Sequence, residues 1–212
     1  MFEFIKNFFF KLGLKDSPSK LKKHAKDVPL VGGMLFIIVL IVSSLFITFD
    51  FYSNIYLLFI FLLIGIWDDI KNLNPNFKFL ISLIFLLSII YYDSNLQIKL
   101  INFKHLQDIY IPNNKYLNIL LPAICLMLLL NAYNMSDGIN GLASIIFLSW
   151  SIYLIIKFPF LISLFLSIIL AVLIFLYFNL KNRAFLGDGG NYFLSMLLGT
   201  VLIKLNNYQV NS

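Results

Sequence analysis

The sequence is poor in charged residues, and this scarcity excludes most soluble proteins. Only 12% of its 212 residues are Asp, Glu, Lys or Arg, whereas 60% are hydrophobic and the mean hydropathy is +0.90. A soluble domain is roughly half apolar and about a quarter charged. The chain has one cysteine, Cys125, so a disulfide framework within the chain is excluded. The composition predicts one membrane domain and excludes disordered chains, coiled coils and almost all soluble enzymes.

The apolar segments lack the alternation of polar and apolar residues that a membrane β-barrel needs. Runs such as LISLFLSIILAVLIFLYF are continuously apolar, and a helix needs about 20 such residues to cross a bilayer. The runs that approach this length are 34–48, 55–67, 79–92, 117–130, 141–156, 160–178 and 192–203. We therefore predict an all-α fold, a polytopic membrane helix bundle with six to eight spans. Residues 1–15 are apolar but short, which predicts a short first span or an interfacial amphipathic helix.

Basic residues exceed acidic ones, and they are unevenly distributed. The formal net charge of +6, in so apolar a chain, favours contact with an anionic membrane and not with nucleic acid. If the runs cross alternately, eleven basic residues share the side of the N-terminal lysines and four lie opposite, so the first side is predicted to be cytoplasmic. The first set is Lys6, Lys11, Lys15, Lys20, Lys22, Lys23, Lys26, Lys71, Lys78, Lys181 and Arg183, and the second is Lys99, Lys104, Lys115 and Lys157.

Four aspartates lie at the predicted cytoplasmic ends of the runs: Asp68 and Asp69 in GIWDDIKN, Asp137 in NMSDGING and Asp188 in FLGDGGN. Acidic residues beside a membrane are costly and tend to be functional, although a helix cap explains any one of them better. The adjacent pair is different, because neighbouring carboxylates repel unless a cation lies between them. Carboxylate, water and phosphate oxygens are the ligands that Mg²⁺ prefers.

Half of the glycines lie beside these acids, and PLVGG follows a basic stretch that holds His24 and Lys26. Backbone N–H groups at glycine turns and helix starts suit phosphate oxygens. Ordinary tight turns explain any one of these loops better, and membrane anchoring explains the basic residues without a substrate. The glycines concerned are Gly138, Gly141, Gly187, Gly189 and Gly190.

Four motifs in order, HAKDVPLVGG, DDIKNLNPNFK, NAYNMSDGINGL and FLGDGGNYFLS, resemble the polyprenyl-phosphate N-acetylhexosamine-1-phosphate transferases of the glycosyltransferase family 4 type. Within that family, the closer resemblance of these motifs is to the bacterial undecaprenyl-phosphate GlcNAc-1-phosphate transferases. The resemblance implies transfer of a sugar 1-phosphate, with GlcNAc 1-phosphate favoured, from a UDP-sugar to undecaprenyl phosphate with release of UMP. It also implies a Mg²⁺ cofactor, with Mn²⁺ as the alternative, and an active face on the cytoplasmic side of a bacterial inner membrane.

The same resemblance implies roles for individual residues. Asp68, Asp69, Lys78 and Asp137 match catalytic positions, and Asn134 and Asp188 match metal ligands. The matched substrate-binding positions are His24, Lys26, Asn72, Asn131, Asn140, Gly187 and Gly189. The sequence departs from the family pattern at Asn140, where many bacterial relatives have Asp, and at Asn191, where Ser is usual.

The family continues with further spans and a cytoplasmic loop that bears His and Arg. We therefore expect residues 1–212 to form a single transmembrane catalytic domain that lacks these parts, completed by a homodimer or a partner chain. Two alternatives remain open from the sequence. One is a non-catalytic scaffold or half-enzyme of the same family, and the other is a cation-coupled transporter, for which acids should lie near the middle of the membrane.

Overall fold

The computed structural model describes residues 2–18, 27–46, 55–101, 109–111 and 114–211, and this part of the chain is mostly helical. Its helices are α1 (Phe2–Lys11), α2 (Gly32–Phe46), α3 (Ile55–Lys71), α4 (Pro75–Tyr92), α5 (Lys115–Ser136), α6 (Leu142–Lys157), α7 (Ile162–Asn179) and α8 (Gly187–Asn211). Two antiparallel pairs of two-residue strands accompany them, β1 (Lys15–Asp16) with β2 (Val28–Pro29) and β3 (Leu100–Ile101) with β4 (Ile109–Tyr110). The predicted helical architecture is confirmed, and the seven apolar runs fall in turn on α2 to α8, except that residues 47 and 48 of the first run lie outside the described residues.

Three of the described helices are long and apolar enough to cross a membrane by length and composition: Pro75–Tyr92, Lys115–Ser136 and Pro159–Asn179. The last of these includes the single 3₁₀ turn that precedes α7. Helix α6 is apolar but shorter, with 16 residues. The number of six to eight spans therefore stays a prediction. Helix α1, with ten residues, is about 15 Å long, which favours the interfacial alternative for the N-terminal segment.

Tight turns join successive helices at one end of the bundle. Between α3 and α4, Asn72 adopts a left-handed conformation with φ of 49°, and the Asn74 side chain accepts a hydrogen bond from the Asn76 N–H at 2.9 Å. Pro75 then occupies the first turn of α4, where a missing N–H costs nothing. At the same end, α6 begins after Gly141, whose φ is 82°. We call this end of the bundle, where α3, α5 and α7 finish, the aspartate end.

Helix α8 lies at the centre of the bundle, in contact with α2, α3, α5 and α6. Its Phe193 ring stacks on Phe36 of α2 with 4.8 Å between the ring centroids. Glycines permit this close packing: a Cβ on Gly65 of α3 would lie 2.5 Å from the Asp188 carbonyl oxygen, and one on Gly189 would lie 3.2 Å from the Cα of Gly33. Small residues that let backbones approach are typical of helix contacts in membranes.

Backbone hydrogen bonds join the N-terminal segment to the start of α8. The Leu30 N–H donates to the Leu14 carbonyl at 3.2 Å, and the Val31 N–H donates to the Phe185 carbonyl at 2.9 Å. Phe185 in turn donates its N–H to the Pro29 carbonyl at 3.0 Å. Residues 28–31 thus lie between β1 and the loop that leads into α8, which fixes that loop at the aspartate end.

Candidate active site

The site begins at the last turn of α3, which includes Asp68. The Asp68 carboxylate is buried, with a side-chain exposure of 6%. Its Oδ1 accepts a hydrogen bond from the Leu73 N–H at 2.8 Å. This bond satisfies a backbone donor in the tight turn after α3. The turn is so short that the first residues of α4 lie beside Asp68.

Lys78, in the first turns of α4, links carboxylates from two distant parts of the chain. Its Nζ forms a salt bridge with Asp68 Oδ2 and another, at 2.8 Å, with Asp188 Oδ2 at the start of α8. The Lys78 and Asp188 side chains are 20% and 25% exposed, so the bridge is partly shielded from water. One ammonium group between two carboxylates leaves an excess of negative charge.

Asp69 faces the N-terminus of α8. Its Oδ1 accepts a hydrogen bond from the Asp188 N–H at 2.8 Å, and its Oδ2 accepts one from the Gly189 N–H at 3.1 Å. The first N–H groups of a helix have no partner within it, so this carboxylate satisfies two of them.

Asp137 follows α5 and also contacts α8. Its Oδ2 accepts a hydrogen bond from Asn191 Nδ2 at 3.0 Å, and the Gly187 backbone donates to the same carboxyl group. Burial raises the pKa of Asp137 to about 6, against the lowering effect of these two hydrogen bonds. The three aspartate-bearing segments thus meet around the first turn of α8.

Asparagine side chains hold the two neighbouring loops together. Asn179, at the end of α7, is buried; its Oδ1 accepts from the Gly141 N–H at 2.6 Å and its Nδ2 donates to the Ala184 carbonyl at 2.9 Å. Beside it, Asn140 Nδ2 donates to Asn182 Oδ1 at 2.6 Å. These bonds fix the loop after α5 against the loop before α8.

The structure brings together most of the residues singled out in the sequence. Asp68, Asp69, Lys78, Asp137, Asp188, Gly187 and Gly189 lie in one connected set of contacts, and Asn72 and Asn140 lie in the adjoining turns. Asn134 is half-buried in the last turn of α5. Asn131 is exposed and donates its amide to the Met127 carbonyl of its own helix at 3.0 Å. His24 and Lys26 lie outside the described residues.

Sequence reasoning missed the asparagines that support the aspartates. In the sequence, Asn191 stands out only as a departure from the family pattern, and no motif marks Asn179 or Asn182. Asn191 and Asn179 are 1% and 2% exposed, and buried polar groups need partners. Their position within or next to otherwise apolar helices was the one signal that pointed to them.

The donor set of the site fits a divalent cation in charge and ligand type. Asp68, Asp69 and Asp188 with Lys78 carry a formal charge of −2 when all four are ionised. No three His, Cys, Asp or Glu side chains of the described segments converge as a complete metal cage would. Mg²⁺ is usually held by one or two carboxylates together with waters and substrate phosphates, so a site of this kind suits it.

Comparison with known proteins points to one family. The sequence profile of the family described as Glycosyl transferase family 4 matches residues 51–206. This range includes the four aspartates of the site, Asp68, Asp69, Asp137 and Asp188. A curated relative in Bacillus subtilis (strain 168), named "Probable undecaprenyl-phosphate N-acetylglucosaminyl 1-phosphate transferase", is 28% identical over 97% of this chain. A "Phospho-N-acetylmuramoyl-pentapeptide-transferase" of Staphylococcus epidermidis is 26% identical over 95% of it.

The curated relatives are longer than this chain. The match covers 59% of the Bacillus protein and 70% of the Staphylococcus protein. A "Phospho-N-acetylmuramoyl-pentapeptide-transferase" of Borrelia turicatae is 28% identical over 61% of this chain and 41% of its own length.

Proposed function

The chain belongs to glycosyl transferase family 4, and on that premise we propose that it transfers a sugar 1-phosphate from a UDP-sugar to a polyprenyl phosphate in the membrane. The activities for which the Bacillus and Staphylococcus relatives are named support this reaction class. GlcNAc 1-phosphate is the proposed group and undecaprenyl phosphate the proposed acceptor, after the Bacillus relative. The product is the first membrane-bound intermediate of a cell-envelope glycan.

The contact that best supports the proposal is the bridge from Lys78 to Asp68 and Asp188, which lie on three different helices. It places a fixed positive charge among carboxylates at the end of a largely apolar bundle. A diphosphate from the cytoplasm and a lipid phosphate from the bilayer can both reach such a position. The proposed orientation has the aspartate end on the cytoplasmic face of a bacterial inner membrane.

The proposed reaction is a direct displacement at phosphorus. An oxygen of the lipid phosphate forms a bond to the β-phosphorus of the UDP-sugar, and the bond from this phosphorus to the bridging oxygen breaks. The electron pair leaves with UMP, and the sugar phosphate stays on the lipid. Lys78 binds phosphate oxygens as a point charge, and Asp68 takes the proton of a singly ionised acceptor. Positioning and charge stabilisation supply most of the catalysis in such transfers.

We further propose that Asp188 and Asn134 would hold Mg²⁺, or Mn²⁺ in its place. When bound, the ion would neutralise charge on the diphosphate oxygens and polarise the β-phosphorus. Asn140, Asn131 and Asn72 remain proposed substrate contacts, as do His24 and Lys26. A homodimer or a partner chain remains the proposed source of any further parts of the site.

The proposal is tested by transfer of radiolabel. Purified chain in lipid nanodiscs that contain undecaprenyl phosphate and Mg²⁺ receives labelled UDP-GlcNAc or another UDP-sugar. We expect label in the lipid extract and one UMP released per transfer. Lys78→Met should slow transfer about 100-fold or more, because a charge aimed at the reacting phosphate is lost. Lys157→Met is the matched control, since Lys157 ends α6 at the opposite end of the bundle and should leave the rate unchanged.

Two results would contradict the proposal. A folded chain that transfers no sugar phosphate from any UDP-sugar would favour the scaffold or half-enzyme alternative. Cation flux through proteoliposomes without a UDP-sugar would favour the transporter. That alternative expects acids near the middle of the membrane, whereas Asp68, Asp69, Asp137 and Asp188 lie at one end of the described helices.

A further inference from the structure

We infer that Asp69 and Asp137 are positioning residues that hold the first turn of α8, so that Asp188 meets Lys78. Asp69 acts through backbone N–H groups of α8 and Asp137 through the Asn191 side chain, and neither touches substrate. This inference rests on the proposed function for its activity test, whereas its structural test is independent of activity. The inference distinguishes these two aspartates from Asp68 and Asp188, which form salt bridges with Lys78.

The first step is an account of the hydrogen bonds at the start of α8. The N–H groups of Asp188 and Gly189 donate to the two oxygens of Asp69. Asp137 holds the same turn from another side, because its Oδ2 accepts from the Asn191 side chain at 3.0 Å. The Asp188 and Gly189 N–H groups are therefore already occupied, and a phosphate could bind them only by displacing Asp69.

The second step concerns the glycine at position 187. Its φ of 72° is strained for other residues, and a Cβ there would lie 2.7 Å from Asp69 Oδ2. Glycine at this position is thus explained by the close approach of the Asp69 carboxylate. At position 189, a Cβ would lie 2.9 Å from the Ile66 side chain, so that glycine is explained by helix packing. Neither glycine needs a phosphate to account for it.

The third step is the effect on Asp188. Its own N–H is held by Asp69 at 2.8 Å, and the N–H of the next residue, Gly189, is held by the same carboxylate at 3.1 Å. A backbone held at two successive residues leaves the Asp188 carboxylate mainly its side-chain torsions. The Asp188 carboxylate is then held within reach of Lys78, at 2.8 Å from Nζ. Loss of the clamp would let the first turn of α8 fray and the carboxylate move away from the lysine.

Hydrogen–deuterium exchange of the chain in nanodiscs tests the clamp directly. Asp69→Ala should speed exchange of the Asp188 and Gly189 amides by about tenfold or more, because their acceptors are lost. Asp69→Asn, which keeps the shape and one acceptor, should show a smaller increase. Asp93→Asn is the matched control: Asp93 also accepts from a backbone N–H, that of Asn95 at 2.9 Å, but far from α8's first turn. Unchanged exchange in folded Asp69→Ala would overturn the inference.

A double-mutant cycle on the transfer rate gives the second test. Gly187→Ala pushes a Cβ against the Asp69 carboxylate, so it should damage the same contact as Asp69→Asn. The slowing by the double variant should therefore be close to that of the worse single variant. If the two slowings multiply, Asp69 acts separately from α8 and the inference is wrong. If exchange changes as expected but the unaltered chain transfers nothing, the clamp stands and the proposed function fails.

Discussion

Asp68 and Asp69 are neighbours in the chain, yet they face different partners. Asp68 contacts Lys78 and the turn after α3, whereas Asp69 contacts only backbone N–H groups of α8 in the hydrogen bonds described. Because successive residues on a helix lie about 100° apart, one pair of carboxylates can serve two segments. The two carboxyl groups thus have separate partners, an ammonium group for Asp68 and the N–H groups at the start of α8 for Asp69.

Asn179 provides a prediction at the same scale. Its replacement by Ala would leave the buried Gly141 N–H and Ala184 carbonyl without their partners. We expect a loss of about 2–4 kcal/mol in the free energy of unfolding, measured as a lower thermal unfolding midpoint in detergent. Asn131→Ala is the matched control, because Asn131 is exposed and bonds only its own helix; it should change stability by about 0.5 kcal/mol or less. Equal midpoints for the two variants would contradict the role given to Asn179.

At the scale of helices, the contact of α3 with α8 depends on glycines. Gly65 lies against the Asp188 backbone, and Gly189 lies against Gly33 of α2. Association of helices in a membrane relies on such close packing, because lipid supplies no hydrophobic driving force between them. The aspartates can reach the start of α8 only because these backbones are close.

Gly65→Ala should therefore displace α8 from α3. The added methyl group would lie 2.5 Å from the Asp188 carbonyl oxygen, and backbone cannot move aside as a side chain can. We expect a cost of about 1–3 kcal/mol, and a loss of sugar-phosphate transfer that exceeds the loss of folded protein. Gly138→Ala is the matched control, because its Cβ would meet only the Met135 carbonyl, at 3.4 Å. The packing role would be refuted if both variants had the same thermal unfolding midpoint as the unaltered chain.

The helices were predictable because apolar runs and their breaks are local signals. The alternation of runs also predicted that Asp68, Asp69, Asp137 and Asp188 lie at one end, where the structure places them. The partners of these residues were not predictable in the same way. Asp69 accepts a hydrogen bond from Asp188, 119 positions away, and Asn179 accepts one from Gly141, 38 positions away. No periodic pattern in the sequence indicates either pair. Packing of α8 selects these pairs.

For the molecule as a whole, the basic residues predict which face lies in the cytoplasm. Cysteine labelling tests this after Cys125 is replaced by Ser. Lys181→Cys lies at the aspartate end and Lys157→Cys at the other, and both positions are exposed. A membrane-impermeant maleimide should label the Cys at 157 in intact spheroplasts and the Cys at 181 only in inside-out vesicles. The reverse pattern would place the aspartate end outside and remove its access to a cytoplasmic nucleotide.

The central place of α8 has a consequence for synthesis. Among the described helices it leaves the ribosome after all the others, yet α2, α3, α5 and α6 pack around it. Until it is made, Gly65 of α3 lacks the Asp188 backbone against which it packs, and Asp69 lacks the N–H groups that it accepts from. A nascent chain that stops before residue 187 carries three of the four aspartates but lacks the turn around which they meet, so the site can assemble only after α8 has been made.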